Sequence, residues 1–321
     1  MMDRVLYCCL IVAFLVVGIR EYKLMIVADL IGKLISLSYA MYCCRDIVFR
    51  RISTFYFSFR ETIKNINVGI KLMFANIASM LIIGVVRFGI ERSWDVSTFG
   101  KVSLTLSVSN LLMLFINAVG IIMFPILRRI DEKKLPSIYE TMRTFLMVLL
   151  LGILIVYYPL KVVLSAWLPQ YADSLMYMAL VFPICVYEGK MALLINTYLK
   201  TLRKEKLMLK INLISLVLSV IISIITTLVL KNLNLAIVSI VILLAFRYVL
   251  AEIFLSKILR ISIFKDITLE LTMTLIFILM GWFVKSWLAV VVYAVAYAMY
   301  LIIKRKDITS TIKNVKLLMR A

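Results

Sequence analysis

Ten apolar runs, each about the length of a membrane span, constrain this chain more than any other feature. They cover residues 5–19, 24–44, 68–90, 99–127, 141–167, 174–199, 211–230, 235–256, 267–284 and 287–303. A helix needs roughly 20 mostly apolar residues to cross the hydrocarbon layer. Apolar residues make up 64% of the 321 positions, against about 45–50% in a soluble domain. The mean hydropathy of +1.05 excludes a soluble globular enzyme and a disordered chain. No run keeps the alternation of a barrel strand. The expected fold class is all-α: a polytopic helical membrane protein with ten transmembrane helices.

The net charge is +20, from 37 Lys and Arg against 17 Asp and Glu. In a soluble chain such a balance points to nucleic acid; in a membrane protein the positions decide. With the N-terminus inside, 26 of the bases fall at inner ends and loops, six at outer ones and five within spans. Basic loops stay on the cytoplasmic side, so both termini are expected there. Trp94, Trp167, Trp282 and Trp287 then all lie at the outer interface, where an apolar ring with a polar N–H is favoured. The first run resembles a signal peptide, but small residues at a cleavage site are missing and Arg20-Glu21 follows directly. It reads as a retained span. No outer connection is long enough to hold a soluble domain.

Histidine is absent, which removes the commonest general base and metal ligand. Cys8, Cys9, Cys43, Cys44 and Cys185 lack zinc-ligand spacing. The run Gly69-Ile70-Lys71 has no preceding strand or glycine-rich loop, so it is no P-loop. No metal, no cofactor and no catalytic residue is expected, and the chain is not read as an enzyme.

Outside the spans, Ile52, Phe55, Tyr56, Phe59, Ile63 and Ile66 form one apolar helical stripe. Residues 49–67 are therefore expected to form an amphipathic linker helix on the inner membrane surface. A soluble-facing linker is the plainer alternative. The tail 304–321 is similar, with Lys306, Lys313, Lys316 and Arg320 suited to anionic lipid.

Seven ionisable residues sit well inside the spans: Asp29, Lys33, Arg87, Lys161, Glu188, Lys190 and Arg247. Charges there are costly and face other helices or water. Five bases against two acids leave a positive surplus, which Glu252 near an inner end would reduce. Asp29 and Lys33 are four apart and can pair. Glu188 and Lys190 are two apart and point to opposite sides. Arg247 and Glu252 are about 140° apart around their helix. The last two pairs need partners on other helices or a ligand. Lys161 and Arg87 can snorkel to the outer interface. Ser103, Ser107, Asn110 and Asn117 share one face of the fourth span; Asn212, Ser215, Ser219, Ser223 and Thr226 share one face of the seventh. Such stripes serve close helix packing or line a cavity suited to sugars. Pro125, Pro159 and Pro183 allow kinks in three spans.

A resemblance enters with particular runs. Val68-Gly69-Ile70-Lys71-Leu72-Met73-Phe74-Ala75-Asn76 opens one helix and Phe99-Gly100-Lys101-Val102-Ser103-Leu104 the next. Asn117-Ala118-Val119 leads to Phe124-Pro125-Ile126-Leu127-Arg128-Arg129. Trp167-Leu168-Pro169-Gln170-Tyr171 and Asn196-Thr197-Tyr198-Leu199-Lys200-Thr201-Leu202-Arg203 follow. From about residue 68 to 282 the chain resembles the bacterial polysaccharide export family. These are the Wzx-like flippases for O-antigen and teichoic acid, within the multidrug/oligosaccharidyl-lipid/polysaccharide superfamily.

That resemblance implies two six-helix lobes around a cationic cavity, often with two further helices. It implies alternating access that carries an undecaprenyl-diphosphate-linked oligosaccharide from the inner to the outer leaflet of the cytoplasmic membrane. On this pattern residues 1–48 are two helices of a partial first lobe, 49–67 the linker, 68–260 the second lobe, 261–303 two C-terminal helices and 304–321 the basic tail. Four helices of a complete first lobe are missing from the expected fourteen. The implied phosphate contacts are Arg87, Lys190, Arg247 and Lys33. The sugar contacts are Ser107, Asn110, Asn117, Asn212 and Ser219, with Asp29, Glu188 and Glu252 as charge partners. The partners implied are the lipid-linked oligosaccharide, membrane lipids, a polysaccharide polymerase and glycosyltransferases, with no nucleic acid. Two competitors stand beside this reading. A drug or cation exporter of the same superfamily would favour an acidic cavity. A membrane polysaccharide polymerase or lipid-sugar transferase would need a larger loop or an interfacial carboxylate cluster.

Overall fold

A computed structural model describes residues 2–16, 22–48, 58–128, 130–284 and 287–311. All regular structure among them is helical. The helices are α1 (Met2–Val16), α2 (Tyr22–Cys43), α3 (Arg45–Val48), α4 (Phe59–Ser93), α5 (Val96–Arg128), α6 (Leu135–Ile153), α7 (Tyr157–Trp167), α8 (Leu175–Val181), α9 (Ile184–Lys190), α10 (Asn196–Thr201), α11 (Glu205–Ser223), α12 (Leu233–Leu259), α13 (Phe264–Phe283) and α14 (Leu288–Ile303). Short 3₁₀ or π turns join several of them into longer rods.

Seven helical stretches among the described residues are long and apolar enough to cross a membrane. They become eight if α14 and the helix Arg305–Thr311, bent 66° from it, count as one span. By helix length and hydropathy this is a multi-pass membrane protein. The apolar part of α1, Val5–Phe14, is shorter than a span; residues 17–21, which would extend it, lie outside the described residues. So do residues 49–57 of the expected linker and 312–321 of the expected tail. From Phe59 the chain is helical through Ser93. No proline or turn separates the second half of the expected linker from the span that follows, so the two form one rod.

The chain divides into two compact units, Met1–Lys64 and Asn65–Ala321. In the first, α1 packs on α2. Ala28 and Gly32 are its buried positions on α2. Two small residues four apart let helix backbones approach closely. Asp29 and Lys33 pair at 2.5 Å on the same helix.

In the second unit the rod Leu175–Thr201 is the axis, buried along nearly its whole length. Helices α5, α6, α12 and α13 pack around it. Its course is broken where the sequence lacks a backbone donor. Pro183 falls at the turn between α8 and α9; on the neighbouring stretch Leu135–Trp167, Pro159 likewise follows the 3₁₀ turn Leu154–Val156. A proline removes one i→i−4 bond and crowds the preceding turn. A π-helical turn, Met191–Ile195, follows directly on Lys190. Such turns widen the backbone ladder and often occur at functional positions. Between α4 and α5, Asp95 accepts a hydrogen bond from the Thr98 hydroxyl at 2.5 Å. That bond draws its carboxyl below the usual carboxylate range.

The polar stripe of the seventh span is a packing seam. Asn212 donates to the Ala75 carbonyl at 2.8 Å, and Ser219 to that of Ile82 at 2.7 Å. Ser223 faces Gly89, where an added Cβ would lie 2.7 Å from the Ser223 hydroxyl. Helices α4 and α11 thus touch backbone to side chain along three turns.

Gly281 is another close crossing: a Cβ there would sit 2.9 Å from the Ala179 Cβ. Gly281→Val is expected to push α13 off α8 and cost about 1–3 kcal/mol. Gly69, with nothing within 4 Å of an added Cβ, should accept alanine without loss. Thermal unfolding of the two variants in detergent checks the contrast.

Candidate binding cavity and a buried ion-pair network

A network of buried charges ties four rods of the second unit together. Lys190, at the end of α9, lies 2.8 Å from Glu270 on α13 and 3.0 Å from Glu252 on α12. It also donates to the Tyr248 hydroxyl at 2.7 Å. Arg143 on α6 donates to Glu252 at 2.6 Å, pairs with Glu270 at 3.2 Å and pairs with Asp266. Tyr139 donates to Glu252 at 3.2 Å and Tyr248 to Glu270. Lys304 continues the chain through Asp266. Lys190, Arg143, Glu252 and Glu270 are all almost fully buried.

A second cluster lies deeper on α12. Arg247 pairs with Glu188 at 2.6 Å and donates to Asn212 at 3.0 Å. Helices α9, α11 and α12 meet there.

These pairings change what the sequence implied. Two of the four bases counted within the spans of the second unit, Lys190 and Arg247, are met by carboxylates. Lys190 and Arg143 face Glu252 and Glu270, and Arg247 faces Glu188. The missed members are Arg143, Glu270, Asp266, Tyr139 and Tyr248. Arg143 looked like one more inner-end base, and Glu270 lies within the first turn of the ninth run. The other expected site residues are dispersed. Lys33 is exposed and held by Asp29. Arg87 is half-buried, donates to Ser103 at 3.3 Å and lies over the Phe99 ring. Ser107 and Asn110 are exposed on α5. Asn212 and Ser219 donate to the backbone of α4, and the Asn212 carbonyl is taken by Arg247. Of the expected contacts, Asn117 lines a large cavity.

That cavity, about 800 Å³, sits at the end of the unit where α4 begins and α5 and α10 finish. Asn65, Val68, Leu72 and Asn76 present one stripe of α4, and Asn117, Phe124 and Arg128 one stripe of α5. The axial rod supplies Asn196, Thr197, Lys200 and Thr201, and the turn beyond it Arg203 and Glu205. Three cations therefore face one carboxylate, among four asparagine amides. The Asn196 Oδ1 is buried and has no hydrogen-bond partner, which a bound polar group would supply. Arg203 holds a left-handed backbone, φ 52°, where the rod turns into α11. This strained turn presents its side chain at the cavity mouth.

No group of three or more His, Cys, Asp or Glu among the described residues is placed to hold a metal ion. Compared with known protein families, with curated proteins and with solved structures, the chain matches none.

Proposed function

We propose that this protein moves an anionic lipid-linked oligosaccharide across a bacterial cytoplasmic membrane, with its head group held in the 800 Å³ cavity. One observation carries the reading. Four of the six runs by which the sequence resembles the polysaccharide flippases converge on this one cavity. Val68, Leu72 and Asn76 come from the first run, Asn117 from the third, Phe124 and Arg128 from the fourth, and Asn196, Thr197, Lys200, Thr201 and Arg203 from the last.

The chemistry agrees with that substrate. Arg128, Lys200 and Arg203 suit a diphosphate, and guanidinium forks bind such oxygens in pairs. Amides and hydroxyls suit sugar hydroxyls, each able to donate and accept. A volume near 800 Å³ falls in the usual range for a ligand cleft, roughly 300–1,000 Å³. In this reading residues 68–260 form the second lobe of a flippase, followed by two helices, and all ten apolar runs span the membrane. The cavity opens on the cytoplasmic side, where the basic loops lie, and transport proceeds by alternating access without covalent chemistry. Phosphate contact passes from Lys190 and Arg247, whose charges are met by carboxylates, to the three cavity cations. The buried network then keeps α6, α9, α12 and α13 moving as one body.

Cells lacking the gene should accumulate lipid-linked precursor on the inner leaflet. Extraction and quantitation of polyprenyl-diphosphate sugars tests this. Normal outer-leaflet delivery in the deletion strain would end the proposal. A resistance phenotype with no glycan defect would instead support the exporter.

A further inference from the structure

A second cavity, about 430 Å³, opens where α6 and α13 begin and α14 ends. It shares no lining residue with the larger cavity. The three ends are basic: Lys133 and Lys134 precede α6, Lys257 and Arg260 precede α13, and Lys304, Arg305 and Lys306 follow α14. Basic ends stay on the inner side of a membrane. Ser137, Glu140, Thr141 and Thr144 recur at helical spacing and give α6 one polar stripe along the cavity. Lys265 and Asp266 enter from the first turn of α13. The helix Arg305–Thr311, turned 66° from α14, brings Asp307 to the third side.

The charges of this lining balance, three cations against three carboxylates. Four of the six hold one another. Arg143 pairs with Asp266, and Lys304 pairs with Asp266 and, at 2.8 Å, with Asp307. The remaining two, Glu140 and Lys265, form no ion pair among the described residues, and both are exposed. Glu140 lies one turn before Arg143, and Lys265 is next to Asp266 in the chain. A carboxylate and an ammonium without partners therefore flank the Arg143–Asp266 bridge. Apolar side chains border the polar ones on each element. Phe145 beside Thr144, Phe264 beside Lys265, and Ile302 and Ile303 before Lys304 are all exposed.

We propose that this cavity binds the head group of a zwitterionic phospholipid that carries a primary ammonium, the chemistry of phosphatidylethanolamine. Lys265 meets the phosphate, and Glu140 accepts hydrogen bonds from the ammonium. A lining with no net charge gives no added attraction to a net anionic lipid, so one unpaired charge of each sign selects a ligand with one of each. A quaternary ammonium has no N–H to give Glu140, which separates ethanolamine from choline. The exposed phenylalanines and isoleucines lie where acyl chains leave the head group, and only a lipid covers them. Soluble phosphoethanolamine has the same two charges and leaves that surface bare.

The test uses the full chain in detergent with phosphatidylethanolamine, phosphatidylcholine or phosphatidylglycerol added, and reads retained lipid by native mass spectrometry. Wild type should keep phosphatidylethanolamine in preference to either of the others. Glu140→Gln should cut its retention about threefold, as for one exposed ion pair, and leave phosphatidylcholine unmoved. Lys265→Gln should cut both about fivefold, the effect of one cation near the membrane surface. Both side chains are exposed and outside the buried network, so the thermal midpoint should not move. Phosphoethanolamine in excess should not displace the lipid. Equal retention of phosphatidylethanolamine and phosphatidylcholine, stronger retention of phosphatidylglycerol, or retention unaffected by either substitution overturns the proposal. Displacement by phosphoethanolamine overturns the lipid as the source of the head group. Because the larger cavity shares none of these residues, each result leaves the transport reading to its own test.

Discussion

Replacing Lys190 by methionine is expected to lower stability by about 3–5 kcal/mol, the cost of leaving a buried charge without its partner. Lys190 is 1% exposed and lies within 3.0 Å of two carboxylates, Glu252 and Glu270. Methionine fills a similar volume, so the loss is electrostatic rather than a cavity. Arg143 alone would then face Glu252 and Glu270, while Asp266 keeps Lys304 as a second partner. The double variant Lys190→Met, Glu270→Gln removes one charge of each sign and should recover part of the loss. Thermal unfolding of purified protein in detergent reads both. A pair that adds independently, with no recovery in the double variant, would show that the two groups do not depend on each other. The network joins α6, α9, α12 and α13, so its failure should also loosen the axial rod on which Asn196 and Lys200 sit.

The second large effect lies at the cavity. Arg128→Ala with Arg203→Ala removes two of the three lining cations and leaves Lys200 against Glu205. Both arginines are exposed, so folding should be unaffected to within about 0.5 kcal/mol. Affinity for a polyprenyl diphosphate should fall at least about tenfold, since hydrogen bonds to charged groups contribute roughly 1.5–3 kcal/mol each. In cells, the double variant should fail to restore glycan export to a deletion strain. The contrast with Lys190→Met is diagnostic: one variant loses stability and function together, the other loses function alone. Equal complementation by the double variant and wild type would remove the cavity cations from the mechanism.

Much of the helical architecture was legible along the chain, because span length and periodicity are local properties. The Asp29–Lys33 pair was legible for the same reason, being one turn apart. The site was less so. Arg143 and Glu252 are 109 residues apart, and Lys190 and Glu270 are 80 apart. No local pattern reports which span will lie beside which. A base near an inner helix end, such as Arg143, looks the same whether it meets lipid phosphates or a buried glutamate. The stripe at Asn212 and Ser219 showed a face but not what lies opposite, and the opposite surface proved to be α4 backbone. Arg128, Lys200 and Arg203 were counted among the inner bases. Only the fold brings them around one cavity, beside the amides of Asn76, Asn117 and Asn196.

The most direct measurement titrates the purified full chain with undecaprenyl diphosphate and, separately, with undecaprenol, which shares the tail and lacks the charge. Saturable binding of the diphosphate, at least about tenfold tighter than the alcohol and lost in Arg128→Ala, Arg203→Ala, is the expected result. Equal affinity for the two lipids, unchanged by the double substitution, would contradict the cavity as an anionic head-group site.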